Sequence, residues 1–165
     1  MANPNIPFGF VPTPLERARP YQRDSASSTA IFPGDVTQMD NDGLVNAATA
    51  GNTALIGAAI SFLTGSAAAS GIFADHPDQE FHAQDDGDTT TAAQTHVGTQ
   101  CDHIATAGTF VPLRSNHEID INTTVATAAG FKLLDFVSSP DYAVGANSIL
   151  RVITVEHLLN TGTGV

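Results

Sequence analysis

"HEIDINTTV", residues 117–125, decides the fold class. Ile119 and Ile121 fall on one side of an extended chain, and Glu118 and Asp120 fall on the other. A period of two is what a β-strand turns into one buried face and one wet face. Downstream, "FKLLDFVSSPDYAVGANSILRVITVEHLL" (131–159) reads as strand, turn, strand, with Ser139-Pro140-Asp141 in the connection. Upstream, "QEFHAQ" (79–84) alternates around Phe81, and "SGIFADH" (70–76), "GLVNAAT" (43–49) and "TALIGAAISFLT" (53–64) are short apolar runs set off by Gly, Asn and Asp. "STAIFPGDVTQM" (28–39) gives a strand entry, a Pro-Gly turn and a strand.

Helical segments are scarce. "TTTAAQTHVGTQ" (89–100) supports one turn, since its Thr run and Gly98 oppose more. A buried helix over 52–64 is the alternative to a strand there. Many short strands with turn signals between them predict an all-β protein, a compact β-barrel or sandwich.

The first 24 residues break this pattern. Pro stands at positions 4, 7, 12, 14 and 20, and the apolar residues follow no period. The reading is an extended Pro-rich N-terminal arm (1–24), a β-barrel or sandwich body (25–160) and a polar, Gly-rich tail (161–165). At about 3.3 Å per residue the arm spans roughly 80 Å, far enough to reach a neighbouring subunit. Phe8 and Phe10, two residues apart, point the same way on an extended chain and would each contribute about 1.5–3 kcal/mol if buried in a partner's groove. Pro7, Phe8, Gly9, Phe10 and Val11 are the expected anchor, and Arg17, Arg19 and Arg23 the expected partners for carboxylates.

Charge narrows the function classes. Asp and Glu outnumber Lys and Arg by 17 to 6, for a net charge of −11. Three arginines against Glu16 and Asp24 leave the arm at +1, so the rest carries −12. Such a body repels nucleic acid and anionic membrane, because phosphate binding needs clustered Lys and Arg. The N-terminus shows no basic region followed by an apolar stretch of the secretory kind. Residues 43–74 hold no charge, but they are rich in Gly and Ser and lack flanking Lys or Arg, which argues against a membrane span. A single cysteine, Cys101, rules out an internal disulfide framework.

Three stretches carry residues capable of chemistry. "DHPDQEFHAQDDGD" (75–88) gathers Asp75, Asp78, Glu80, Asp85, Asp86 and Asp88, but lacks the spacing and the downstream Glu of a calcium loop. It reads first as a solvated hairpin tip, with a weak divalent-ion site as the alternative. "THVGTQCDHIA" (95–105) holds His96, Cys101 and His103 without any C-x-x-C or H-x-x-x-H pair, so a core thiol is expected rather than zinc. Cys101 beside His103 or His117 is the single thiol route to nucleophilic catalysis, and no G-x-S-x-G, P-loop or G-x-G-x-x-G motif is present. No metal, cofactor or catalysis is expected.

The two ends of the chain resemble a known family. "MANPNIPFGFVP" is similar to the start of tailed-phage capsid cement, or head decoration, proteins, which open with Met-Ala-Asn, a polar stretch, Pro-Phe-Gly, an apolar residue, Arg and Pro-Val. "RPYQRDSASSTAIFPGDVTQM", "NTALIGAAISF" and "SPDYAVGANSILRVITVEHLL" resemble the family's next segment, its Gly-rich strand and its ending. Val11-Pro12-Thr13 stands where Arg-Pro-Val is common, and Thr154-Val155-Glu156-His157 replaces an Ile-Asn-Glu-His pattern. The resemblance implies a β-rich domain on the outer surface of a virion, bridging neighbouring major capsid proteins and commonly trimeric, with no cofactor. The competing class is a carbohydrate-binding or adhesin module, which the absence of Trp and the presence of just two Tyr disfavour.

Overall fold

The computed structural model describes residues 3–125, 129–137 and 143–160. The expected turn at Ser139-Pro140-Asp141 and the tail 161–165 lie outside the described residues. Thirteen strands run in chain order: β1 Val11–Pro12, β2 Ala18–Gln22, β3 Val36–Met39, β4 Val45–Ala47, β5 Leu55–Ala59, β6 Ser70–Ala74, β7 Glu80–Gln84, β8 Gln100–Ile104, β9 Thr109–Phe110, β10 Leu113–Arg114, β11 Glu118–Val125, β12 Phe131–Phe136 and β13 Ile149–Thr154. One 3-10 turn, Gln94–His96, interrupts them. The protein is all-β.

The strands form a six-stranded sheet in the order β1-β7-β13-β12-β8-β11, a five-stranded sheet in the order β2-β6-β5-β3-β4, and a separate β9–β10 hairpin, all antiparallel. The two large sheets pack face to face as a sandwich. Between them lies the main core, where Phe10, Phe81, Phe131, Ile119, Ile121, Leu133, Leu150 and Val152 meet Val36, Leu55, Ala58 and Ala74. The alternation seen in 117–125 therefore sorts as expected, with Ile119 and Ile121 inward.

Residues 52–64 form a strand, not a helix. All five residues of β5 are buried, so the run is continuously apolar instead of alternating. Leu55 and Ala58 face the main core, while Ile56 and Ala59 join Ile31, Val45, Leu63 and Phe73 in a second cluster on the other side of the sheet.

Each large sheet curls enough for an isolated bridge to form between strands well apart in its order. An isolated bridge joins Arg23 to Val45 in the five-stranded sheet, and another joins Asp85 to Ile119 in the six-stranded one. Among the described residues no closed barrel results, but each sheet acquires a seam, and each seam carries a fully buried ionisable residue. Arg23 meets this cost by donating from its guanidinium to the carbonyls of Ser27, Thr29 and Ala67.

The N-terminal stretch is not a free arm. β1 pairs with β7 and β2 pairs with β6, so residues 11–22 supply an outer strand to each of the two sheets. This accounts for the prolines. Pro12 and Pro20 lie on strands at sheet edges, where a missing N–H is tolerated and further pairing is discouraged. The domain boundary expected at residue 24 has no counterpart in packing.

Candidate docking surface

The expected anchor residues are distributed by the fold rather than presented together. Phe10 is buried against Phe131, Phe81 and His103, at ring separations of 4.6, 6.2 and 6.3 Å. It fills space that β7, β8 and β12 leave between them. Gly9 is buried at φ +75°, and a Cβ there would sit 2.6 Å from the carbonyl oxygen of Gly34 and overlap Ser115. The Phe10 amide then donates to that same carbonyl at 2.8 Å. Gly9 thus admits a close approach within its own chain. Pro7 and Phe8 are half-buried, and Val11 is exposed.

The arginines also find partners at home. Arg17 Nε lies 2.8 Å from Asp75 Oδ1, its Nη2 donates to the Asp75 carbonyl at 2.7 Å, and the Tyr21 hydroxyl donates to Asp75 Oδ2 at 2.6 Å. Arg19 stands 3.8 Å from the same carboxylate. Burial and the Asp75 carboxylate push the Tyr21 phenol up to about 12. The buried Asp75 is therefore the point to which the leader is fastened, and Arg23 is sealed in the seam. Within this chain, then, the expected arm lies on its own body, where Arg17 and Tyr21 satisfy Asp75 and Phe10 fills an aromatic pocket.

What the fold does present is an apolar knob that the sequence reading passed over. The β9–β10 hairpin carries Phe110, Val111 and Leu113 at its tip, with relative exposures of 67%, 91% and 46%. Phe110 packs edge-on against Phe32 and Phe62, with centroids 5.0 and 5.8 Å away, so the tip stands on an aromatic base. The hydroxyl of Thr109 bonds the Pro112 carbonyl at 2.9 Å across the hairpin, and the Asn116 amide bonds the Ala107 carbonyl at 2.8 Å at its foot.

Beside the knob opens a cleft of about 460 Å³ whose walls include Phe32, Ala47, Ala105 and Phe110. Its floor is polar. His117 Nδ1 accepts the Val36 amide at 3.2 Å, which puts the proton on Nε2, 3.5 Å from Asp35 Oδ1. Asp35 Oδ2 accepts the Phe32 amide at 2.8 Å. His103 stacks on His117 at 5.4 Å. Desolvation raises Asp35 to about 6 and lowers His103 and His117 to about 4 and about 3. The floor is a neutral hydrogen-bonded base at neutral pH in its imidazoles, with one buried carboxylate.

Cys101 is buried on β8, two residues before His103, and burial pushes its thiol up to about 12, far from a ready thiolate. Among the described residues, no group of three or more His, Cys, Asp or Glu side chains could hold a metal ion. No described helix is long and apolar enough to cross a membrane. Compared with known proteins, the chain matches no family model, no curated protein and no solved structure.

Proposed function

We propose that this protein is a capsid cement protein, which binds the outside of a phage head, bridges neighbouring major capsid proteins and holds the shell against the pressure of packaged DNA. The resemblance of "MANPNIPFGFVP" and of the chain's ending to head decoration proteins carries the reading. In this proposal the docking element is the β9–β10 knob with its cleft, in place of the N-terminal arm. A chain of net charge −11 repels its like and repels DNA, while Phe110, Val111 and Leu113 offer an uncharged contact that a partner can desolvate at little cost. Each body would then act as a ligand of the assembled shell and stabilise it by linkage. Trimer formation would join three such knobs and slow release through effective concentration.

The test is to add purified protein to heads that lack it and to image them by electron microscopy while following thermal rupture. Bound density at fixed lattice positions with the hairpin against the shell, and a higher rupture temperature, are expected. Heads that stay bare, or density on the shell with the hairpin facing solvent, would sink the reading or its docking element respectively.

A further inference from the structure

Besides its apolar tip, the β9–β10 hairpin carries an arginine with nothing to hold. The chain has six basic side chains. Arg17 and Arg19 meet Asp75, and Arg23 donates to three carbonyls. Arg151 lies 3.5 Å from Glu80 and 3.9 Å from Asp135. Lys132 is exposed on β12, where water solvates its ammonium. Arg114 on β10 differs from all of these. It is half-buried, and its side chain makes no hydrogen bond or ion pair among the described residues. Its Nε is buried without an acceptor. Its two Nη nitrogens have no acceptor either but are not cut off from water, so the outer edge of the guanidinium is open. Acids outnumber bases 17 to 6, yet no described acid lies within ion-pair reach of this cation.

The register of the hairpin places this charge relative to the tip. Phe110 pairs with Leu113, and Thr109 pairs with Arg114. Paired residues share a face of a hairpin and adjacent ones take opposite faces. Phe110 and Leu113 therefore lie on one side and Arg114 on the other, with Val111 at the turn between them. The foot is fixed: the Ser115 amide donates to the Pro33 carbonyl at 2.9 Å, and a Cβ on Gly108 would sit 2.6 Å from the Arg114 carbonyl oxygen.

We propose that the hairpin enters a groove on its partner, apolar where it receives Phe110, Val111 and Leu113, and bearing a carboxylate on the wall that faces Arg114. A guanidinium edge offers parallel N–H groups that match a carboxylate, and such pairs fix geometry as well as adding affinity. Arg114 has already lost water from Nε, and half-burial restricts its stem, so the pair forms with little further desolvation or ordering. A flat surface would cover one face of the hairpin and leave the other wet. The inference rests on the docking element proposed above and names the chemistry of the partner's side.

The experiment measures binding to heads that lack the protein, for the parent, Arg114→Met and Arg114→Lys. Arg114→Met keeps the stem and removes the fork, so its Tm should match the parent's within about 2 °C while its Kd on heads rises at least tenfold. Arg114→Lys keeps the charge and makes position 114 reactive to a carbodiimide, in a chain whose one natural lysine is Lys132. On decorated heads, mass spectrometry should find an amide joining position 114 to an Asp or Glu of the shell, absent from the parent. If Arg114→Met melts early, this cross-link decides alone. A well-folded Arg114→Met whose affinity falls less than tenfold would overturn the partner carboxylate and leave the capsid reading standing. So would occupied heads without the cross-link, or a cross-link to the protein's own acids. Heads left bare by the parent would remove the capsid reading and this inference with it.

Discussion

Phe10 and Phe131 stack at 4.6 Å with an interplanar angle of 31°, although one lies near the start of the chain and the other in β12. The contact makes the leader part of the core. Phe10→Ala should therefore destabilise the isolated protein by about 3–5 kcal/mol, the cost of emptying an aromatic site in a packed interior. Urea denaturation without any partner measures it. A loss below about 1 kcal/mol would mean that the leader is dispensable to the fold after all.

The second fastening is at Asp75. Tyr21→Phe removes the 2.6 Å hydrogen bond to Asp75 Oδ2 while keeping the ring against Phe73. A loss of about 1.5–3 kcal/mol is expected, the range for hydrogen bonds to charged groups. Limited proteolysis should cut the variant first within residues 13–20, ahead of any site in the body.

Acid stability should depend on the floor of the cleft. His103 and His117 are neutral in the fold, with values near 4 and 3, against 6.5 when unfolded. The unfolded chain binds more protons in that window, so these groups cost stability as pH falls from about 6.5 toward 3. Asp35 has the opposite sign: raised from 3.8 to about 6, it binds its proton more readily when folded, and its stabilisation is lost as pH rises through 6. His117→Asn, whose Oδ1 can still accept the Val36 amide, should flatten the acid limb by up to about 1.4 kcal/mol per pH unit relative to the parent. Asp35→Asn should steepen it. Denaturation midpoints between pH 4 and 7 compare the three proteins, and parallel curves would refute the assignment.

The knob separates binding from folding. Val111 is 91% exposed, so Val111→Asp should change stability by less than about 0.5 kcal/mol. Under the proposed function it should nonetheless abolish occupancy on heads, since it places a charge at the centre of an apolar contact. Undiminished occupancy would move the docking site elsewhere on the body.

Strands with one wet face were legible in the sequence. β7 and β11 follow from alternation around Phe81 and Ile119, and β12 and β13 from the strand-turn-strand pattern of 131–159. β5 lost its periodicity through burial on both faces, which left a helix open as an alternative. β8 was hidden in a stretch that attracts attention for Cys101 and His103, two residues whose spacing of two is itself a strand signal. The leader misled for a physical reason. Proline marks a segment as unable to join a sheet's centre, but edge strands accept it, and sequence alone does not say which edge lies in reach. The two-residue strands of the β9–β10 hairpin are too short for any period, and nothing local marks Arg23 or Asp85 as residues that meet a seam.

The proline-bearing outer strands have a consequence for crowding. Copies packed side by side at high density face the hazard that one sheet continues into the next and grows without limit. Here Pro12 and Pro20 each withhold a donor where such growth would begin, as edge prolines do. Along these two edges neighbours must therefore meet through side chains, which favours a mosaic of separate tiles over fused fibres there.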